Sequence, residues 1–106
     1  MTGLSGGDRE IQDLDGTTVV VNGTVGTSNT NLPTVAGGII SEFNIECLES
    51  NSLSQTILVS FNGTDFKTLQ PGDSWTWTPK GNLTQLIIKG GAASSAYEAV
   101  LNREPT

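Results

Sequence analysis

The chain has 106 residues, of which 35% are hydrophobic, 6% aromatic and 15% charged, with 13 glycines, one cysteine and no histidine. Five Lys and Arg against 11 Asp and Glu leave a formal net charge of −6. These totals describe one small domain with enough apolar residues for a single core. They exclude an intrachain disulfide framework and a His-based or Cys-x-x-Cys zinc site, and they argue against nucleic acid or an anionic membrane as partner, because Arg9, Lys67, Lys80, Lys89 and Arg103 are scattered singly.

Residues 1–16, MTGLSGGDREIQDLDG, are rich in Gly and Asp and weakly patterned, and are expected to form an extended N-terminal arm that orders on contact with a partner. The segment DREIQDL is long enough for one helical turn but too short to stand alone. The arm lacks a basic stretch followed by an apolar run, so it does not read as a signal peptide, and no stretch approaches the roughly 20 apolar residues that span a bilayer. The sandwich domain is expected over residues 17–106.

TTVVVNGTV, from Thr17, is β-branched and reads as a strand with a turn or bulge at Asn22-Gly23. GTSNTNLPTVAGG, residues 26–38, reads as a long polar connection, either functional or a crossover between two sheets. In GIISEFNIECL, Ile39, Phe43, Ile45 and Cys47 alternate with Glu42, Asn44 and Glu46, the two-residue period of a half-buried strand. Cys47 falls in the apolar phase and reads as a small core residue. QTILVSF places Ile57, Val59 and Phe61 in one apolar phase. Asn62-Gly63 then signals a tight hairpin into TDFKTL, and Gln70-Pro71-Gly72-Asp73 signals a second turn, with Pro fixing φ and Gly free to take a positive value.

SWTWTP alternates Trp75 and Trp77 with Thr76 and Thr78, and Lys80-Gly81-Asn82 turns the chain again. LTQLIIKG and AYEAVLN close the pattern, with Tyr97, Ala99 and Leu101 on one face. About seven strands at roughly 8–12-residue spacing, joined by hairpin turns and without an amphipathic helix, predict an all-β fold. The expected architecture is a single antiparallel β-sandwich, jelly-roll or immunoglobulin-like.

With no histidine, and no cysteine partnered by a base, the common nucleophile–base pairs of hydrolases are absent, and no catalytic residue, cofactor or metal site is expected. Asp65, Asp73, Glu42 and Glu46 are candidates for a paired-carboxylate hydrolase, but nothing in their spacing makes any two converge. Asn22, Asn62 and Asn82 begin Asn-X-Ser/Thr triplets that read as turn chemistry. Trp75 and Trp77 suit either a stacking platform for sugar rings or burial in a core or subunit interface, and with so few aromatic residues burial is the favoured reading. Candidate interface residues are Leu4, Ile11 and Leu14 in the arm, Leu32, Pro33 and Val35 in the long connection, and the two tryptophans. These apolar residues lie in otherwise polar or irregular segments, although covering the open ends of a sandwich would account for them as well.

ILVSFNGTDFKTLQPGDSWTW, followed by LTQLIIKGGAASSAYEAVL, resembles a pattern common in small virion proteins of tailed bacteriophages. The correspondence runs through residues 58–63, 66–72, 87–90 and 97–101, within about half of the chain. The resemblance implies a non-enzymatic structural protein of the virion, made in the host cytoplasm. A capsid decoration (cement) protein is the leading reading, bound to the major capsid protein or other virion proteins as a homo-oligomer, with a trimer favoured. A tail or fibre accessory, or a carbohydrate-binding module for host-surface recognition, is the alternative.

Overall fold

A computed structural model describes residues 17–32 and 38–104, and the alternation in the sequence becomes eight strands there. The expected arm, with Leu4, Ile11, Leu14 and the DREIQDL turn, lies outside the described residues, as do Pro33 and Val35. The strands are β1 (Thr17–Val25), β2 (Thr30–Leu32), β3 (Ile39–Cys47), β4 (Ile57–Ser60), β5 (Lys67–Leu69), β6 (Ser74–Trp77), β7 (Leu86–Gly90) and β8 (Ser95–Glu104). Two four-stranded antiparallel sheets result, sheet 1 in the order β1-β8-β3-β6 and sheet 2 in the order β2-β7-β4-β5.

That order has a simple logic. β1 pairs with β8, β2 with β7, β3 with β6 and β4 with β5, so the chain is one long hairpin rolled into two sheets. This is the jelly-roll member of the two expected sandwiches. The expected count of seven falls short because Thr30–Leu32 is a strand paired to β7, inside what reads in sequence as a loop. Three residues are too few to display a period.

Side-chain alternation then builds the core. β8 buries Ser95, Tyr97, Ala99 and Leu101 and turns Glu98 and Val100 outward. In β7, Leu86 and Ile88 are buried, and in β4 Ile57 and Val59 lie beside them on the same wall of the core. Phe43, Ile45 and Cys47 of β3 fill the opposite wall, as their phase predicts. Ile39 departs from that phase. A bulge between Ile40 and Glu42 inserts Ser41, so Ile40 is fully buried and Ile39 only partly. One extra residue flips the parity and lets Ile40 and Phe43, three apart, face the same core. The Ser41 hydroxyl donates to the Asn102 carbonyl at 3.1 Å and ties the bulge to β8.

The two turns expected around β5 divide. Gln70–Asp73 is closed by the Asp73 N–H on the Gln70 carbonyl at 2.8 Å, with Gly72 at φ 93°, which a Cβ would oppose. Asn62-Gly63, by contrast, is not a two-residue hairpin. Residues 61–66 form a longer loop built on side chains. The buried Ser60 hydroxyl accepts the N–H groups of Asn62 (3.1 Å) and Gly63 (2.8 Å) and donates to the Asn62 Oδ1 at 3.0 Å. That same Oδ1 accepts the N–H groups of Thr64 and Asp65. Polar side chains thus supply the acceptors that a ladder would otherwise supply.

Two outcomes follow from this packing. Ser60→Ala removes the acceptor of two loop N–H groups, and urea unfolding should show a loss of about 1–3 kcal/mol with an unchanged slope. Burial also pushes the Tyr97 phenol above its ordinary value of 10.0. A pKa raised in the folded state means that the protonated phenol stabilises the fold below about pH 10, and that this contribution is lost as pH rises through the folded value. Alkaline unfolding followed by circular dichroism should therefore steepen above about pH 10, and Tyr97→Phe should make that decline shallower.

Candidate functional site

A two-sheet sandwich has two open sides, and here one of them carries most of the aromatic residues. β6 is the edge of sheet 1 and β5 the edge of sheet 2. In β6, Trp75 lies opposite Ile45 and Trp77 opposite Phe43, so both indoles take inward positions. β4 and β5 have only four and three residues against nine in β3. Sheet 2 therefore runs out before it can cover the last inward residues of sheet 1, and Phe61 comes down from the end of β4 to cover them.

The rings meet in an ordered way. Phe43 is edge-on to Trp75 (centroids 5.1 Å, planes at 84°) and to Phe61 (6.2 Å, 77°). Phe61 stacks on Trp75 at 5.9 Å and 23°, and Trp77 continues the row 5.7 Å from Trp75. These are the geometries that the ring quadrupoles favour. Phe43 is buried and Trp75 partly so, whereas Phe61 is 44% and Trp77 47% exposed. Beside them opens a recess of about 250 Å³, lined by the apolar Val59, Phe61, Phe66 and Trp75 together with Asp65 and Lys67. Lys67 Nζ lies 5.4 Å from the Trp75 ring centroid, and Lys89 Nζ lies 4.3 Å from that of Phe66. Cations over ring faces are attracted by about 0.5–1 kcal/mol at exposed sites.

The arrangement is suited to holding an apolar group next to positive charge. The candidate carboxylates do not converge. Asp65 accepts from the Asn62 amide at 3.0 Å and Asp73 accepts the Gln70 N–H at 3.0 Å, so both brace turns. Glu42 accepts from the Asn102 amide at 3.2 Å on the outer face of sheet 1, and Glu46 projects from the same face. Among the described residues no three metal-ligating side chains cluster.

Of the residues singled out as interface candidates, the fold brings Trp75 and Trp77 together. Leu32 is fully buried in the core of its own chain, paired opposite Leu86. Phe61, which reads as a core residue from its phase, is exposed at the recess. Sequence reasoning passed over Phe66, Lys67 and Leu53. Leu53 is 86% exposed, and the available signal was its isolation in ESNSLSQ, where it is the only apolar residue.

No family model matches the sequence, and no curated protein is significantly similar to it. Among solved structures, the fold is similar to a chain described under "Bacillus endospore appendages form a novel family of disulfide-linked pili", with a TM-score of 0.55 and 14% sequence identity. The similarity covers 99% of this chain and 100% of that one. At this identity the likeness is one of fold. It overturns the expectation of a phage virion protein: capsid decoration, a tail or fibre role, host-surface carbohydrate recognition and a virion location all give way to an appendage-type neighbour. The physical reason is that the matching residues are inward strand positions, such as Tyr97 and Leu101, and turn residues, such as Gly72, which a β-sandwich requires whatever it assembles into.

The aromatic row yields a contrast between neighbours. Trp75→Ala should cost about 2–4 kcal/mol by chemical denaturation, because that ring fills the space between Phe43 and Phe61. Trp77→Ala should cost less than about 1 kcal/mol and leave the unfolding slope unchanged.

Proposed function

We propose that the chain is a non-enzymatic structural subunit of a bacterial surface appendage, built by association of many copies of itself. The observation that carries this reading is the fold similarity to an appendage pilus chain over the whole length of both molecules. The match runs from end to end at 14% identity, so what is alike is the arrangement of the backbone and not the surface residues.

The edges of the sheets support the same reading. Edge strands left open are templates for pairing with another chain, and proteins commonly blunt them with charge, proline or shortness. β2 and β5 have three residues each, and Pro79 follows β6 by two positions. β1 runs nine residues without proline or a charged side chain, and Val20 on it is 63% exposed beside Val100 of β8. The exposed rings of Phe61 and Trp77 add apolar surface that a neighbour would cover.

The similar pili are described as disulfide-linked. Here the one cysteine, Cys47, is fully buried, with its sulfur 3.4 Å from the Gln55 carbonyl and 3.3 Å from the Asn51 amide. Association of the described domain would therefore be non-covalent. Concentrated full-length chain viewed by negative-stain electron microscopy should form filaments whose yield is the same with and without reductant. A chain that stays monomeric by analytical ultracentrifugation at every concentration tried would defeat the reading. Filaments that dissolve in reductant would defeat its non-covalent part.

A further inference from the structure

The loop between β3 and β4, residues 48–56, presents Leu53 at its apex, and Leu53 has the highest exposure of any large hydrophobic side chain in the described residues. The loop is held in place from several sides. Asn51 donates to the Ala96 carbonyl at 2.8 Å and accepts the Ala96 N–H at 2.9 Å, which pins the loop to β8. Gln55 accepts the Ser52 N–H through its side chain at 2.8 Å, donates its own N–H to the Ser52 carbonyl at 3.0 Å, and reaches the carbonyls of Ala93 and Ser94 at 3.2 Å each. An exposed leucine on a mobile loop would need no comment, but this one stands on a four-residue turn closed by both backbone and side chain. A group fixed in advance loses little freedom on docking.

Charge divides along the same line. The end of the sandwich that carries Leu53 also carries Glu46, Glu49, Asp73 and Glu98, while the nearby Lys89, in register with Leu58, directs its ammonium to the Phe66 ring 4.3 Å away. Glu46 and Glu98 are register partners on the outer face of sheet 1, a like-charge pairing that costs stability unless a cation comes near. The recess lies toward the other end of β4, with Lys67 and Lys89 on its rings and Lys80 three residues beyond Trp77. Its one carboxylate, Asp65, is already engaged by Asn62.

We propose that Leu53 of one copy seats in the aromatic recess of the next, between Phe61 and Phe66, with the acidic end of the first copy facing the lysines of the second. This rests on the self-assembly reading above and names its contact. The recess admits one branched aliphatic side chain, and its lysine-bearing rim complements the acidic surround of Leu53. Knob and recess occupy different parts of the surface, so the contact is heterologous. Each copy that uses its knob leaves its recess open for another, and such contacts propagate into filaments when the rotation does not close.

The test uses full-length chains and sedimentation velocity, with thermal unfolding as a control for folding. Leu53→Asp, at a fully accessible position, should keep the wild-type melting temperature and weaken self-association at least about tenfold. Lys67→Glu, and separately Phe61→Ser, should weaken it to a similar degree by damaging the recess. The decisive sample mixes Leu53→Asp with Lys67→Glu. The first retains an intact recess and the second an intact knob, so the mixture should form one-to-one dimers that extend no further. If wild type associates while Leu53→Asp associates equally well, or if the mixture forms no dimer, the contact is wrong and the assembly reading stands. If wild type remains monomeric across concentration and ionic strength, the assembly reading fails and takes this contact with it.

Discussion

Phe43 holds together the side of the sandwich on which everything of interest takes place. Its ring is buried at the point where sheet 2 has stopped and sheet 1 has not, and it turns its edge toward both Trp75 and Phe61. Remove it and neither outer ring has a floor. The bulge at Ser41 is what puts it there: without the extra residue, Ile40 and Phe43 could not both face inward along one strand. A local break in a β-ladder thus decides where a surface feature appears some residues away.

Much of this architecture is legible in the sequence because strands announce which side of themselves is apolar. Tyr97, Ala99 and Leu101 share a face as read, and Ile57 and Val59 lie in the core as read. What alternation cannot convey is how far the opposing sheet extends. Phe61 is in the right phase for burial but lies past the last residue of β4, so its ring is only partly covered. The bulge was equally invisible, since serine at position 41 is an ordinary strand residue. Leu32 read as a loop residue because three residues of strand cannot show a period. Asn62-Gly63 read as a tight hairpin because its dipeptide fits one, yet the Ser60 hydroxyl and the Asn62 side chain stabilise a wider loop instead.

The candidate surface was half legible for a related reason. Trp75 and Trp77 stand out by residue type and spacing, and the fold does place them side by side. Phe66 and Lys67 acquire meaning only when β5 folds back along β4 and brings them to the same opening. The phage resemblance failed at another level. Turn signatures such as Pro71-Gly72 report how a chain reverses, and many assemblies use the same reversals. Outward residues such as Leu53 and Val20 contribute nothing to that signature.

The pairing of β1 with β8 has a consequence for how copies could be decorated. Thr17 is in register with Arg103, so the chain enters and leaves the sandwich side by side, at the end away from Leu53. Any domain, peptide or label spliced before β1 or after β8 emerges there, and the two junctions lie close enough to be bridged by a short linker. The molecule therefore behaves as a plug with both its wires on one end, and the other end is left clear of added cargo. A circularly permuted version joined across that gap would keep every rung of both sheets while moving the free ends to a loop of choice.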